Sequence, residues 1–193
     1  MDYWNAAVNS RFVTELVTGE IDDKFLGEYL VQDYQFFEAF MEVIGAAITY
    51  ADTLEAKVRY GQQLGFICND ENDYFVDTFK EIGVDDYAAP ELKPATVGFF
   101  DVYARVIESR DYKEIVTMLY VAEALYLDWA RRYDGRPLAP KHFGWVDVHL
   151  EHGFIEWVDF LHDEFTRLGL SSDDELYKIV TKLEFDFFEE VYK

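Results

Sequence analysis

Cysteine is almost missing from this chain. Cys68 is the only one in 193 residues, so no intramolecular disulfide and no cysteine metal cluster can be built. A reducing cytoplasm is the expected setting. Basic residues are also scarce, 17 Lys and Arg against 39 Asp and Glu, for a formal net charge of −22. Nucleic acid and anionic membranes are themselves negative, so this balance reads against both as partners. No apolar run approaches the roughly 20 residues of a membrane span. The opening Met1-Asp2-Tyr3-Trp4 has neither the basic start nor the apolar stretch of a secretory signal. There is no Gly-x-Gly-x-x-Gly, no phosphate loop and no Gly-x-Ser-x-Gly turn. Cys68 sits beside Asn69-Asp70-Glu71, and acidic neighbours disfavour a nucleophilic thiolate.

What remains is apolar and helical. Half of the residues are hydrophobic and 18% are aromatic, well above what a disordered chain carries. With only four prolines and eleven glycines, long helices are favoured. The spacing predicts helices over about 2–18, from a cap at Asp22 or Asp23 to Tyr50, and over 54–67 after Thr53. Others follow over 71–82, 95–108, 111–133, a short piece near 141–150, and 152–168. A capping box of Ser172 with Glu175 opens the last, which runs to about 191. In the third helix Leu54, Val58, Leu64 and Ile67 form the inward set. No alternating strand pattern is present, so the expected class is all-α, one domain over residues 1–193 with seven or eight helices.

Three of these helices carry a carboxylate on an apolar stripe. Asp33 lies among Leu26, Tyr29, Leu30, Phe36, Phe37 and Phe40. Glu123 lies among Val116, Leu119, Tyr120, Tyr126 and Leu127, and Glu184 among Tyr177, Val180, Phe187 and Phe188. An acid turned inward must be paired, hydrogen-bonded or protonated, because an isolated charge is costly away from water. Each alone fits a structural acceptor. Together, if they converge, they make an acidic pocket walled by aromatic rings, suited to a flat, weakly basic ligand. Burial and like charge would leave one acid protonated beside an ionised one, as general acid–base catalysis requires.

The four histidines, His142, His149, His152 and His162, all fall late in the chain. His149 is the one expected at a pocket, the others at the surface. His149, His152 and Glu156 could share a helix face. Helical carboxylate–metal sites draw ligands from several facing helices, often as Glu-x-x-His, and the first five helices contain no such motif. No metal and no cofactor are therefore expected.

Tyr29-Leu30-Val31-Gln32-Asp33-Tyr34 on the second helix resembles the signature of the TenA/thiaminase II family. The Pro94 loop, Asp111-Tyr112-Lys113-Glu114-Ile115 and Glu184-Phe185-Asp186-Phe187-Phe188 extend the resemblance along most of the chain. It implies a heme oxygenase-like helical bundle, a homo-oligomer (dimer or tetramer), and salvage of thiamin breakdown products. In that chemistry a C–N bond on an aminopyrimidine is cleaved. The resemblance assigns Asp33 to binding the pyrimidine and Glu184 to proton transfer. Ala122 stands where the larger subgroup has its cysteine nucleophile, and Glu123 resembles the glutamate of the cysteine-less subgroup. That subgroup acts on an aminomethyl- or formylaminomethyl-pyrimidine. Phe36, Phe99 and His149 stand in place of family tyrosines, while Phe37 and Tyr126 complete the expected substrate-binding set. The expected function is a TenA-like hydrolase with Glu123 and Glu184 as catalytic residues. A non-catalytic ligand-binding member of the fold and a di-iron oxygenase are the alternatives.

Overall fold

The computed structural model describes residues 1–68 and 72–193, and among them every regular element is a helix. In chain order these are α1 (Tyr3–Val8), α2 (Arg11–Thr18), α3 (Asp23–Tyr34), α4 (Phe36–Tyr50), α5 (Leu54–Phe66) and α6 (Asn72–Ile82). Then come α7 (Pro94–Ser109), α8 (Tyr112–Ala130), α9 (Pro140–Val148), α10 (His152–Arg167) and α11 (Glu175–Glu190). The expected all-α class holds. The helices are more numerous and shorter than the spacing suggests, for two local reasons.

The first is Ser10. Its hydroxyl accepts from the Val13 N–H at 3.2 Å, starting α2 afresh where apolar spacing alone reads straight through. Side-chain competition for backbone donors is why serine favours caps over helix interiors. The second is Gln35. In an unbroken helix its N–H would bond the Val31 carbonyl. Here that N–H turns to Gln32 O at 3.1 Å. The Gln35 side chain takes over Val31 O at 2.8 Å, and also donates to Tyr87 O at 2.8 Å. A side chain inserted into the ladder kinks the helix. The break falls between Asp33 and Phe36, so the two side chains belong to separate helices, α3 and α4.

The core is built around α8 and α11. Helix α8 is buried on almost every side, through Ile115, Val116, Met118, Leu119, Val121, Leu125, Leu127 and Trp129. It packs on α1, α4, α7, α10 and α11, as a helix apolar all round must. Helix α11 packs on α1, α2, α7 and α8. Its approach to α7 is close at Gly98, where an added Cβ would lie 2.6 Å from Leu183 Cδ2. Helix α4 packs against α5 and α7 and buries Val43, Ile44, Ala46 and Ala47.

Two readings of local sequence are corrected. On α5, Leu54 and Val58 are 72% and 52% exposed, while Ala56, Tyr60, Gln63 and Ile67 are buried. The face is turned because Tyr60 packs edge-on against Trp157 and Phe160 of α10, burying far more surface than Leu54 could. The capping box of the last helix does not form. Asp174 is the cap residue, and its carboxylate instead accepts from Ser171 N–H at 2.9 Å.

Candidate active site

Every helix from α3 to α11 contributes a side chain to one cavity of about 110 Å³. A single water takes roughly 10–15 Å³ of such space, so the cavity has room for a small ring. Asp33, Glu123 and Glu184 all line it, together with Phe36, Phe37, Phe99, Tyr126 and His149. The eight residues singled out from the sequence are therefore gathered at one place. Ala122 is also on the wall, whereas Cys68 is exposed and takes no part. Among the described residues no three His, Cys, Asp or Glu side chains are grouped to hold a metal ion.

The Gln32-Asp33 pair divides into an anchor and a wall residue. Gln32 is 4% exposed and fully engaged. Its amide donates to Glu91 O at 3.0 Å and accepts from Lys93 N–H at 2.9 Å and Thr96 Oγ1 at 2.7 Å. With Gln35 on Tyr87 O, this pins the 85–94 loop to α3 and sets the start of α7. At that start Glu190 accepts from Ala95 N–H at 3.1 and 3.0 Å, placing a carboxylate at the positive end of the helix. Phe99 and Tyr103 of α7 are thereby carried to the cavity that Asp33 lines. The Phe36 ring meets Phe99 at 5.3 Å, Phe187 at 5.4 Å and Tyr103 at 5.9 Å, separations typical of tilted aromatic packing.

Glu184 is the most unusual group of the wall. It is 3% exposed, and among the described residues no side chain or backbone N–H donates to its carboxyl. Burial, first, and then the charges of Asp33 and Glu123, hold its pKa well above the ordinary carboxyl value. Both effects disfavour the ionised form, so the surroundings of Glu184 favour its protonated form beside two other acids. The same field reaches the phenols. Tyr103 and Tyr126 are pushed well up by burial, and the charges of Asp33 and Glu184 add to this. The Tyr126 and Tyr29 hydroxyls bond each other at 2.7 Å.

His149 ends α9 and is 6% exposed. Its Nδ1 lies 2.7 Å from Trp145 O. A carbonyl only accepts, so Nδ1 carries the proton and Nε2 a lone pair. Burial lowers its pKa to about 4, leaving it neutral at physiological pH. His152 pairs with Glu156 at 3.3 Å on an exposed face, outside the cavity wall. His142 is not at the surface as expected. It is 6% exposed, because α9 packs on α2 and brings His142 against the Gly19 turn.

Several wall residues have no counterpart in the sequence reading: Gln63, Phe66, Tyr103 and Trp145. Tyr103 could have been found, since it follows Phe99 by one helical turn. Gln63 is hidden by the misassigned face of α5. Trp145 sits on a helix too short for its periodicity to be read.

The comparisons with known proteins agree with this geometry. The chain matches the model of the TENA/THI-4/PQQC family over residues 1–188. No curated protein sequence matches it. Among solved structures, a TenA homologue from Pyrococcus furiosus superposes with a TM-score of 0.85 at 18% identity, covering 99% of this chain and 95% of that one. A candidate TenA-like thiaminase from Sulfolobus solfataricus gives 0.83 at 11% identity, with 99% and 90% covered. A protein from Shewanella denitrificans described as having a heme oxygenase-like fold gives 0.67 at 13% identity, with 98% and 87% covered. At such identities these likenesses show the fold, and the fold is the heme oxygenase-like one. The family match spans nearly the whole length, and the chain belongs to the TENA/THI-4/PQQC family.

Proposed function

We propose that the protein is a hydrolase of thiamin salvage that cleaves a C–N bond of an aminomethyl- or formylaminomethyl-pyrimidine without a cysteine nucleophile. The observation that carries this reading is Glu184, a buried acid with a raised pKa that receives no hydrogen bond from the described residues and faces Asp33 and Glu123 across an aromatic cavity. Asp33 accepts from the exocyclic amine and a protonated ring nitrogen of the pyrimidine. Phe36, Phe37 and Phe99 flank the ring and exclude water. Glu123 takes a proton from water as its oxygen bonds to the methylene carbon. The bond from that carbon to nitrogen breaks, and Glu184 delivers its proton to the departing nitrogen. The products are the hydroxymethyl-pyrimidine and ammonia, or an amide from an acylated substrate. A carboxyl kept protonated by its surroundings is suited to the acid role. Ala122 leaves no thiol on the wall, so water attacks directly.

Support for TenA-like chemistry also comes from family membership and from the Sulfolobus neighbour described as a candidate thiaminase. The second reading is ligand binding without turnover. It is favoured by Phe36 and Phe99, which offer no hydroxyl to the leaving group. Incubation with 4-amino-5-aminomethyl-2-methylpyrimidine, its N-formyl form and thiamin, in separate tubes, decides by mass spectrometry. Hydroxymethyl-pyrimidine from either of the first two supports the hydrolase. Binding of an aminopyrimidine with no product from any of the three replaces it by the ligand-binding reading.

A further inference from the structure

Gln63 is a buried amide that catalysis as described above does not use. It lies on α5, is 5% exposed and lines the cavity. Its oxygen accepts from Arg59 Nη1 at 3.2 Å. A guanidinium has donors and no acceptor, so this contact decides which way the amide points. The oxygen faces Arg59 and the NH2 group is left for the cavity. Among the described residues nothing accepts a hydrogen bond from that NH2. Arg59 is itself held in place. Its guanidinium lies 5.0 Å from the Trp157 ring centroid and 5.9 Å from that of Phe160. The charges that favour it are those of Glu156 and Glu123, which places the Arg59–Gln63 pair at the Glu123 end of the cavity.

We infer that Gln63, oriented by Arg59, is a specificity residue that requires a hydrogen-bond acceptor on the aminomethyl substituent of the ligand rather than on its ring. This rests on the hydrolase reading only for which end of the substrate reaches Gln63. An ammonium offers donors alone. Set against the Gln63 NH2 it would leave both sets of donors unpaired, close to the positive charge of Arg59. A neutral N-acyl group offers a carbonyl oxygen that the NH2 can bond. A buried polar group left without its partner is penalised more than a made bond is rewarded, so the amide acts mainly by rejecting the wrong ligand. The acidic groups of the cavity attract any cation. Gln63 and Arg59 oppose that attraction at one end and leave it in force at the ring.

The test is calorimetric binding of 4-amino-5-aminomethyl-2-methylpyrimidine and its N-formyl form to the intact protein, with turnover of each followed in parallel. The wild type is expected to bind the N-formyl compound about ten-fold or more tightly than the amine. Gln63→Leu brings that ratio close to one. Arg59→Met, which frees the amide to rotate, gives an intermediate ratio, and circular dichroism confirms that both variants fold. A wild type that prefers the amine, or a Gln63→Leu ratio equal to the wild-type one, overturns the inference. Absence of turnover with the ratio behaving as expected removes the hydrolase reading and leaves the role of Gln63 standing. Binding of neither compound overturns both.

Discussion

Glu164 on α10 and Glu184 on α11 are 7% and 3% exposed, yet the protein treats them in opposite ways. Glu164 accepts from Tyr112 OH at 2.5 Å and from Arg167 at 2.8 Å through both of its oxygens. Arg167 in turn holds Asp52 at 2.6 Å, and Tyr60 bonds Tyr112 at 3.1 Å. The Arg167 contact lowers the pKa of Glu164. This network ties α5, α8 and α10 together and leaves the charge satisfied. Glu184 has neither a cation nor a hydrogen-bond donor among the described residues, and its pKa moves up. Burial alone therefore says little about what an acid does. The partners supplied by neighbouring helices decide whether it braces the fold or keeps a proton available. Glu190, six residues beyond Glu184 on the same helix, follows the first pattern, with the α7 amide in place of an arginine.

The contrast breaks most visibly in turnover. Glu184→Gln is expected to reduce kcat by about 10²–10⁴-fold, the usual span of general acid–base catalysis, with KM little changed in steady-state assays. An unchanged rate would remove the proton-transfer role. Glu164→Gln should leave kcat within about two-fold while the fold weakens by roughly 1–2 kcal/mol in denaturant titrations. That figure is discounted because Arg167 is 41% exposed. Asp33→Asn should weaken aminopyrimidine binding by about 10–100-fold, since a charge-assisted pair becomes a neutral one; calorimetry measures it.

The two acids also differ in how stability depends on pH. Glu164 has a lowered pKa, so it is ionised when folded before it is when unfolded. Its contribution is present above the unfolded value and is lost as pH falls through the folded one. Glu184 has a raised pKa, so the folded state holds a proton that the unfolded state releases. Stability therefore declines as pH rises from the ordinary carboxyl value of about 4.3 toward the raised one. In denaturant midpoints measured across pH, Glu164→Gln should flatten the acid limb and Glu184→Gln the limb above it. The smallest expected effect belongs to Glu190→Ala. Losing the carboxylate over the α7 N-terminus should cost about 1 kcal/mol, with activity falling only as far as Phe99 and Tyr103 shift.

The sequence made the acidic cavity legible because polarity errors on apolar stripes survive any uncertainty in helix ends. Asp33, Glu123 and Glu184 each break a pattern several turns long, and all three line the cavity. Helix breaks were not legible at Ser10 and Gln35, since both depend on a single side-chain hydrogen bond that periodicity does not register. The buried face of α5 was misread for a related reason. Leu54 and Val58 look like core by hydropathy, but Tyr60 has partners on α10 that no local pattern announces. Gln63 was lost with that face, and with it a cavity amide whose orientation a cation dictates.

The most direct test is a carbon-detected NMR titration of the glutamate side-chain carboxyls, with Glu184 and Glu164 assigned from their Gln variants. The account predicts that Glu164 titrates below the ordinary carboxyl range while Glu184 stays protonated well above it, in the same sample. Titration of Glu184 near the ordinary value of about 4.3 would contradict the claim that this cavity keeps an acid in its neutral form for catalysis.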